Sequence, residues 1–178
     1  LVKKVAFPSE VLPIHVGLVS LVLYFVGALV CVATSAISGH WTPGIELLAL
    51  PLVMIVQFVM VIGMGLLLGN ANVFVRDVSQ LWRIFGMAWM FLTPVFWVPS
   101  MLYEALGEGS AIPGIMMNVN PAFSLVMAQR IALFGEQPEF GMVDLWGNLS
   151  QAAIWAIGFL VLGFTTFVAN KHKHADIV

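Results

Sequence analysis

The chain has 178 residues, of which 61 % are hydrophobic and only 9 % charged, with a formal net charge of −2. Soluble domains carry about 25 % charged residues, so a water-facing globular protein is excluded and a membrane-embedded one is expected. The lone cysteine, Cys31, lies in an apolar run, which rules out an internal disulfide and leaves the redox compartment open.

In chain order, residues 1–11 are short, basic and proline-bearing, and the first residue is Leu1 rather than Met, so a preceding segment is expected to be missing. Leu12–Ile37 follows as a first span. With Lys3 and Lys4 before it, this start imitates a secretory signal, but a signal's apolar core ends after about 7–15 residues and this one runs on. Ile45–Gly69 is a second span, with Gly65 and Gly69 as a small-xxx-small pair suited to close helix packing. Asn70–Gln80 is a polar turn, where Asp77 reads as an N-cap with Gln80 three residues on. Leu81–Val98 is a third span, just long enough at ~27 Å for a core of about 30 Å.

The stretch 99–147 is neither a span nor an ordinary polar loop. Within it, Asn120 is a good N-cap, Pro121 suits the first helical position, and Gly135 stops the helix after Phe134. That helix is too short to span, and Gln129 with Arg130 is costly in lipid, so a re-entrant or interfacial helix is expected. Leu149–Ala169 is the last span, and 171–178 is a tail whose His172 and His174 are expected to be solvated. The fold class is therefore an all-α integral membrane protein, with four transmembrane helices and short re-entrant or interfacial helices before the last span. It forms one domain: segment 1–11, three spans over 12–98, an outer region 99–147, the span 148–170 and the tail.

Four crossings place Lys3, Lys4, Arg76, Arg83, Lys171 and Lys173 on one side and Arg130 on the other. The positive-inside rule makes the first side cytoplasmic, along with both chain ends.

Four stretches carry a resemblance. NVFVRDVSQ at 72–80 resembles the NVxxRD-type cytoplasmic loop of type-2 ABC export permeases, in the branch that exports O-antigens, capsules and teichoic acids. LVKKVAFPSEVLPI at 1–14 resembles the segment before their third membrane helix, and FLTPVFWVPSML at 91–102 the end of their fifth. NVNPAFSLVMAQRIALFGE at 118–136 is similar to their outer segment. The resemblance implies six membrane helices, the first two of them absent here, and a homodimer in the bacterial inner membrane. It also implies a separate ATPase subunit that binds ATP, and two short outer helices between the last two spans. Lys3, Lys4, Phe7, Pro8, Glu10, Arg76 and Asp77 are the implied ATPase-coupling residues. Ser9 departs from the pattern, since many relatives carry a basic residue there.

The residues themselves fit a passive transport subunit with no cofactor and no metal of its own. No G-x-x-x-x-G-K phosphate loop, nucleophile elbow or H-E-x-x-H helix occurs. Trp82, Phe85, Trp89, Thr93 and Phe96 recur at helical spacing and share one face of the third span. Packing or lipid contact is one reading of that face. The other is a substrate pathway, in which flat rings stack weakly on the C–H faces of sugars and so let a glycan pass. The expected function is ABC-type export of a lipid-linked polysaccharide, with membrane lipid and glycan as partners and no nucleic acid. Export of a drug or small lipid is the alternative. An ion-coupled carrier is less favoured, because no ionisable residue lies deep in a span.

Overall fold

The computed structural model describes residues 11–39, 44–75, 77–107, 110–137 and 144–177. Among them every regular element is helical: α1 (Val11–Ile37), a 3-10 turn (Ile45–Ala49), α2 (Leu50–Phe74), α3 (Val78–Leu92), α4 (Pro99–Leu106), α5 (Ile112–Val119), α6 (Pro121–Phe134) and α7 (Leu145–Ile177). Prolines sit in the first turns of α2, α4, α5 and α6, where the missing N–H leaves no bond unmade.

Among the described residues three helical stretches are long and apolar enough to cross a membrane: Leu12–Ile37, Ile45–Phe74 and Leu145–Asn170. Several of their Ser and Thr hydroxyls turn back on the helix, as lipid demands. Ser20 donates to the Gly17 carbonyl, Thr34 to Val30, Thr165 to Val161 and Thr166 to Leu162.

The third expected span, Leu81–Val98, is not one continuous helix. Helix α3 ends at Leu92 after 15 residues, about 22 Å of rise. Thr93 turns extended (φ −95°, ψ 144°), and Pro94 follows with no N–H to continue the ladder. The last helix is longer than expected. It begins at Leu145 rather than Leu149 because Asp144 Oδ1 accepts the Gly147 N–H, a side-chain cap that moves the start back one turn.

Glycines set the packing of the long helices. A Cβ on Gly63 would lie 2.8 Å from Leu160 Cα, and one on Gly163 would lie 3.1 Å from Leu66 Cβ, so the α2 and α7 backbones touch. Both contacts advance in the same direction along the two chains, so α2 and α7 run parallel. Gly17 faces Phe58 while Gly65 faces Pro13, which makes α1 antiparallel to α2. The expected Gly65/Gly69 seam is thus divided: Gly65 packs on α1, and Gly69 meets nothing within 4 Å.

Helix α6 lies within the bundle rather than on its surface. Nine of its 14 residues are buried, and it packs against α7, α2 and the 3-10 turn. Being apolar on every side, it belongs in an interior. Its polar residues Gln129 and Arg130 are met there rather than left in lipid. Gln129 Nε2 donates to Gln57 Oε1 at 2.8 Å, and Arg130 donates to the carbonyls of Trp97 (3.0 Å) and Val95 (2.9 Å). Burial lowers the Arg130 pKa, and those two carbonyls compensate part of the lost hydration.

Candidate functional site

Parallel α2 and α7 start at the same end of the molecule, so the chain between them must return from the end of α2. Helix α3 makes that return, and the short helices α4, α5 and α6 then cover the end from which α2 and α7 begin. A cavity of about 510 Å³ lies inside this arrangement. One wall is α3, with Trp82, Phe85, Trp89 and Leu92. Facing it are Met64, Leu67 and Leu68 of α2, and Trp155 and Phe159 of α7. Ile115, Met116 and Val119 of α5 close one end together with Asn120 and Pro121.

Three of the five residues assigned to a pathway from spacing are therefore together. Their rings form one cluster: Trp82 and Phe85 have centroids 5.4 Å apart, Phe85 and Trp89 5.5 Å, and Trp82 meets Trp89 edge-on at 5.6 Å. Thr93 and Phe96 are not among the lining residues. The shared-face argument fails for both because the helix stops at Leu92. Thr93 is 3 % exposed, with its hydroxyl on the Trp89 carbonyl (2.8 Å), while Phe96 is 67 % exposed against Phe91.

The elbow between α5 and α6 is held from both walls. Asn120 Oδ1 accepts the Trp89 indole N–H at 2.6 Å and the Ala122 N–H at 3.1 Å, so one oxygen ties α3 down and caps α6. Asn120 Nδ2 donates to Thr93 Oγ1 (3.1 Å) and the Leu92 carbonyl (3.3 Å), satisfying the frayed end of α3. From α7, Gln151 Nε2 donates to the carbonyls of Met117 and Asn118, and the Trp155 indole donates to the Asn118 carbonyl. Sequence reading named Asn120 as a cap and missed it as a junction. The signal was the repeat of short polar side chains in Asn118-Val119-Asn120, whose partners lie some thirty residues away.

At the other end of α3, the Asp77 capping box is not formed, because the Asp77 side chain makes no cap bond. The Ser79 N–H is instead accepted by Asn72 Oδ1 at 3.2 Å, so the last turn of α2 caps the first turn of α3. The other residues assigned to ATPase coupling (Lys3, Lys4, Phe7, Pro8, Glu10 and Arg76) lie outside the described residues. Asn148 of the sequon-like Asn148-Leu149-Ser150 is only 2 % exposed, which closes it to modification. Among the described residues no cluster of metal-ligating side chains occurs.

Several apolar membrane-crossing helices around a half-open apolar cavity define a multi-pass helical membrane protein. Within that class, the chain is similar to the O-antigen export system permease protein RfbA of Myxococcus xanthus, with 25 % identity over 158 residues and 88 % of this chain covered. The chain spans 58 % of that relative's length. The likeness supports the ABC export permease family read from the four sequence motifs. No family model matches the chain. No solved structure matches it at significance.

Proposed function

We propose that this chain is the membrane permease part of an ABC exporter that carries a lipid-linked polysaccharide out of the bacterial cytoplasm, driven by a separate ATPase subunit. The observation that carries the reading is the likeness to an O-antigen export permease along 88 % of the chain. The architecture supports it. With α2 and α7 parallel, the stretch 75–144 returns across the bilayer, so α3 and the extended turn after it make a fourth crossing. The six cationic residues outside α6 then face the cytoplasm, and α4 to α6 form a cap on the outer face. Trp82, Phe85 and Trp89 lie on the substrate's path, and two copies of the chain complete it. Residues 1–11 and the Arg76-Asp77 turn, both on the cytoplasmic side, receive the ATPase.

In the test, the intact protein is purified with and without a separately encoded ATPase. The chain alone is expected to hydrolyse no ATP. The ATPase is expected to co-purify with the wild type and to be weakened by Phe7→Ala, since an aromatic side chain is a common anchor in a docking pocket. Equal ATPase recovery after both Phe7→Ala and Glu10→Ala sinks the coupling assignment.

A further inference from the structure

Among the described residues one side-chain polar atom is buried without a hydrogen-bond partner, the Tyr24 hydroxyl. Tyr24 stands in the middle of the span Leu12–Ile37, where a hydroxyl left unmatched costs most. The oxygen is closed off by the atoms of this chain, so no water, lipid, neighbouring helix or second copy reaches it as the helices now stand. Ser20, the polar residue one turn away, has its hydroxyl on the Gly17 carbonyl. A partner for Tyr24 therefore requires another arrangement of the same helices.

The packing of α1 on α2 shows where that partner lies. Pro13 meets Gly65 and Gly17 meets Phe58, with the two helices antiparallel. Counting from Pro13 forward to Tyr24, and equally far back from Gly65, sets Tyr24 opposite Met54. Gln57 lies one turn from Met54, about 4.5 Å along the axis, and is the only polar side chain from Leu50 to Gly69. It is also next to Phe58 in sequence, so it stands at the border between the face toward α1 and the face toward α6. In this structure it is turned to α6, with Oε1 accepting from Gln129 and its own N–H groups claimed by no other described residue.

We propose that Gln57 is a two-position switch, bonded to Gln129 of α6 in this structure and to the Tyr24 hydroxyl of α1 in a second conformation. Each position leaves one group unmatched, the phenol in the first and the Gln129 amide in the second, which keeps the two close in free energy. Gln129 is only partly buried, so its amide turns to the surface when released. The switch joins α1, which follows the segment assigned to the ATPase, to α6 in the outer region. Its bearing on export rests on the transport reading, while the switch itself is a property of three packed helices.

The probe is a fluorotyrosine placed at position 24 alone in the intact protein and read by fluorine NMR in lipid nanodiscs, since the shift reports whether the adjacent hydroxyl is hydrogen-bonded. The line of an unpartnered hydroxyl is expected to dominate in the wild type. Gln129→Leu removes the competing amide and is expected to raise a second, hydrogen-bonded line severalfold. Gln57→Leu together with Gln129→Leu leaves an apolar pair in place and is expected to abolish that line. The proposal is overturned if Gln129→Leu leaves the wild-type spectrum unchanged, or if the second line persists in the double variant. A separate check alters neither glutamine. Tyr24→Phe is expected to unfold at or above the wild-type Tm, and a clear drop shows that the hydroxyl is already partnered and overturns the proposal equally. Surface glycan per folded permease is measured in Tyr24→Phe as well, where a severalfold loss is expected. Unchanged export beside a working two-line response takes the switch out of the transport cycle. Failure of the ATPase to co-purify with the wild type, with both lines responding as expected, counts against the transport reading alone.

Discussion

Asn120 shows how much one side chain can organise. Replacing it with Ala removes the cap of α6, worth about 1 kcal/mol. It also leaves the Trp89 indole and the end of α3 unpaired in apolar surroundings, at about 1–3 kcal/mol. Asn120→Ala is therefore expected to destabilise the protein by about 2–4 kcal/mol in a reversible denaturation measured in detergent. Asn120→Asp keeps both accepted bonds and loses the two donated ones, so it should fall between Ala and wild type. An Ala variant as stable as wild type would mean that the junction does not hold the elbow. The same geometry changes how the aromatic trio is best probed. Trp89→Leu alters stability as well as the cavity wall, because its N–H is committed at 2.6 Å, whereas Phe85, 51 % exposed and without a polar atom, can be changed for its surface alone.

Helix positions were legible from the sequence wherever length and apolarity decide the outcome, as in α1 and α2, or where a cap is adjacent, as at Asn120-Pro121. They were illegible where the deciding contact is remote. In Leu81–Val98 the local signal was Pro94, which turns Thr93 away from the helix and was passed over, whereas nothing near Asp77 says that Asn72 will supply the cap instead. Spacing grouped Trp82, Phe85 and Trp89 correctly because all three lie within an unbroken helix, and it failed at Phe96 for want of that helix. Of the small-residue pair, Gly65 packs on α1 and Gly69 meets nothing within this chain, while the seam with α7 is made by Gly63 and Gly163. Gly63→Ala is expected to cost about 1–3 kcal/mol, because backbone rather than a movable side chain lies in the way. Gly69→Ala should be neutral or stabilise by up to about 1 kcal/mol, through helix propensity alone. Thermal unfolding of the two variants in parallel checks the pair, and equal effects would contradict the seam.

For the molecule as a whole, the decisive question is the number of crossings. Parallel α2 and α7 demand an odd number of crossings between them, though among the described residues only three helical stretches reach spanning length. In a Cys31→Ser background, Ser79→Cys and Lys173→Cys are expected to be shielded from an impermeant thiol reagent in intact cells, while Glu104→Cys reacts. Labelling of Ser79→Cys from outside would reverse the turn between α2 and α3 and with it the cytoplasmic face. The same arrangement explains why so few charges suffice. The apolar exposed surfaces of α1 and α3 face lipid or other helices, and the polar work is concentrated in the elbow and in α6.

The Gln57–Gln129 bond has a consequence in time. Its partners are 72 residues apart, so at a synthesis rate of about 5–20 residues per second, Gln57 enters the membrane roughly 4–14 s before its partner is made. Through that interval α2 lacks Gln129 for its amide and has neither α6 nor α7 beside it. The nascent chain is therefore most open to retention by insertion machinery, and to degradation, after α2 has emerged and before α6 has.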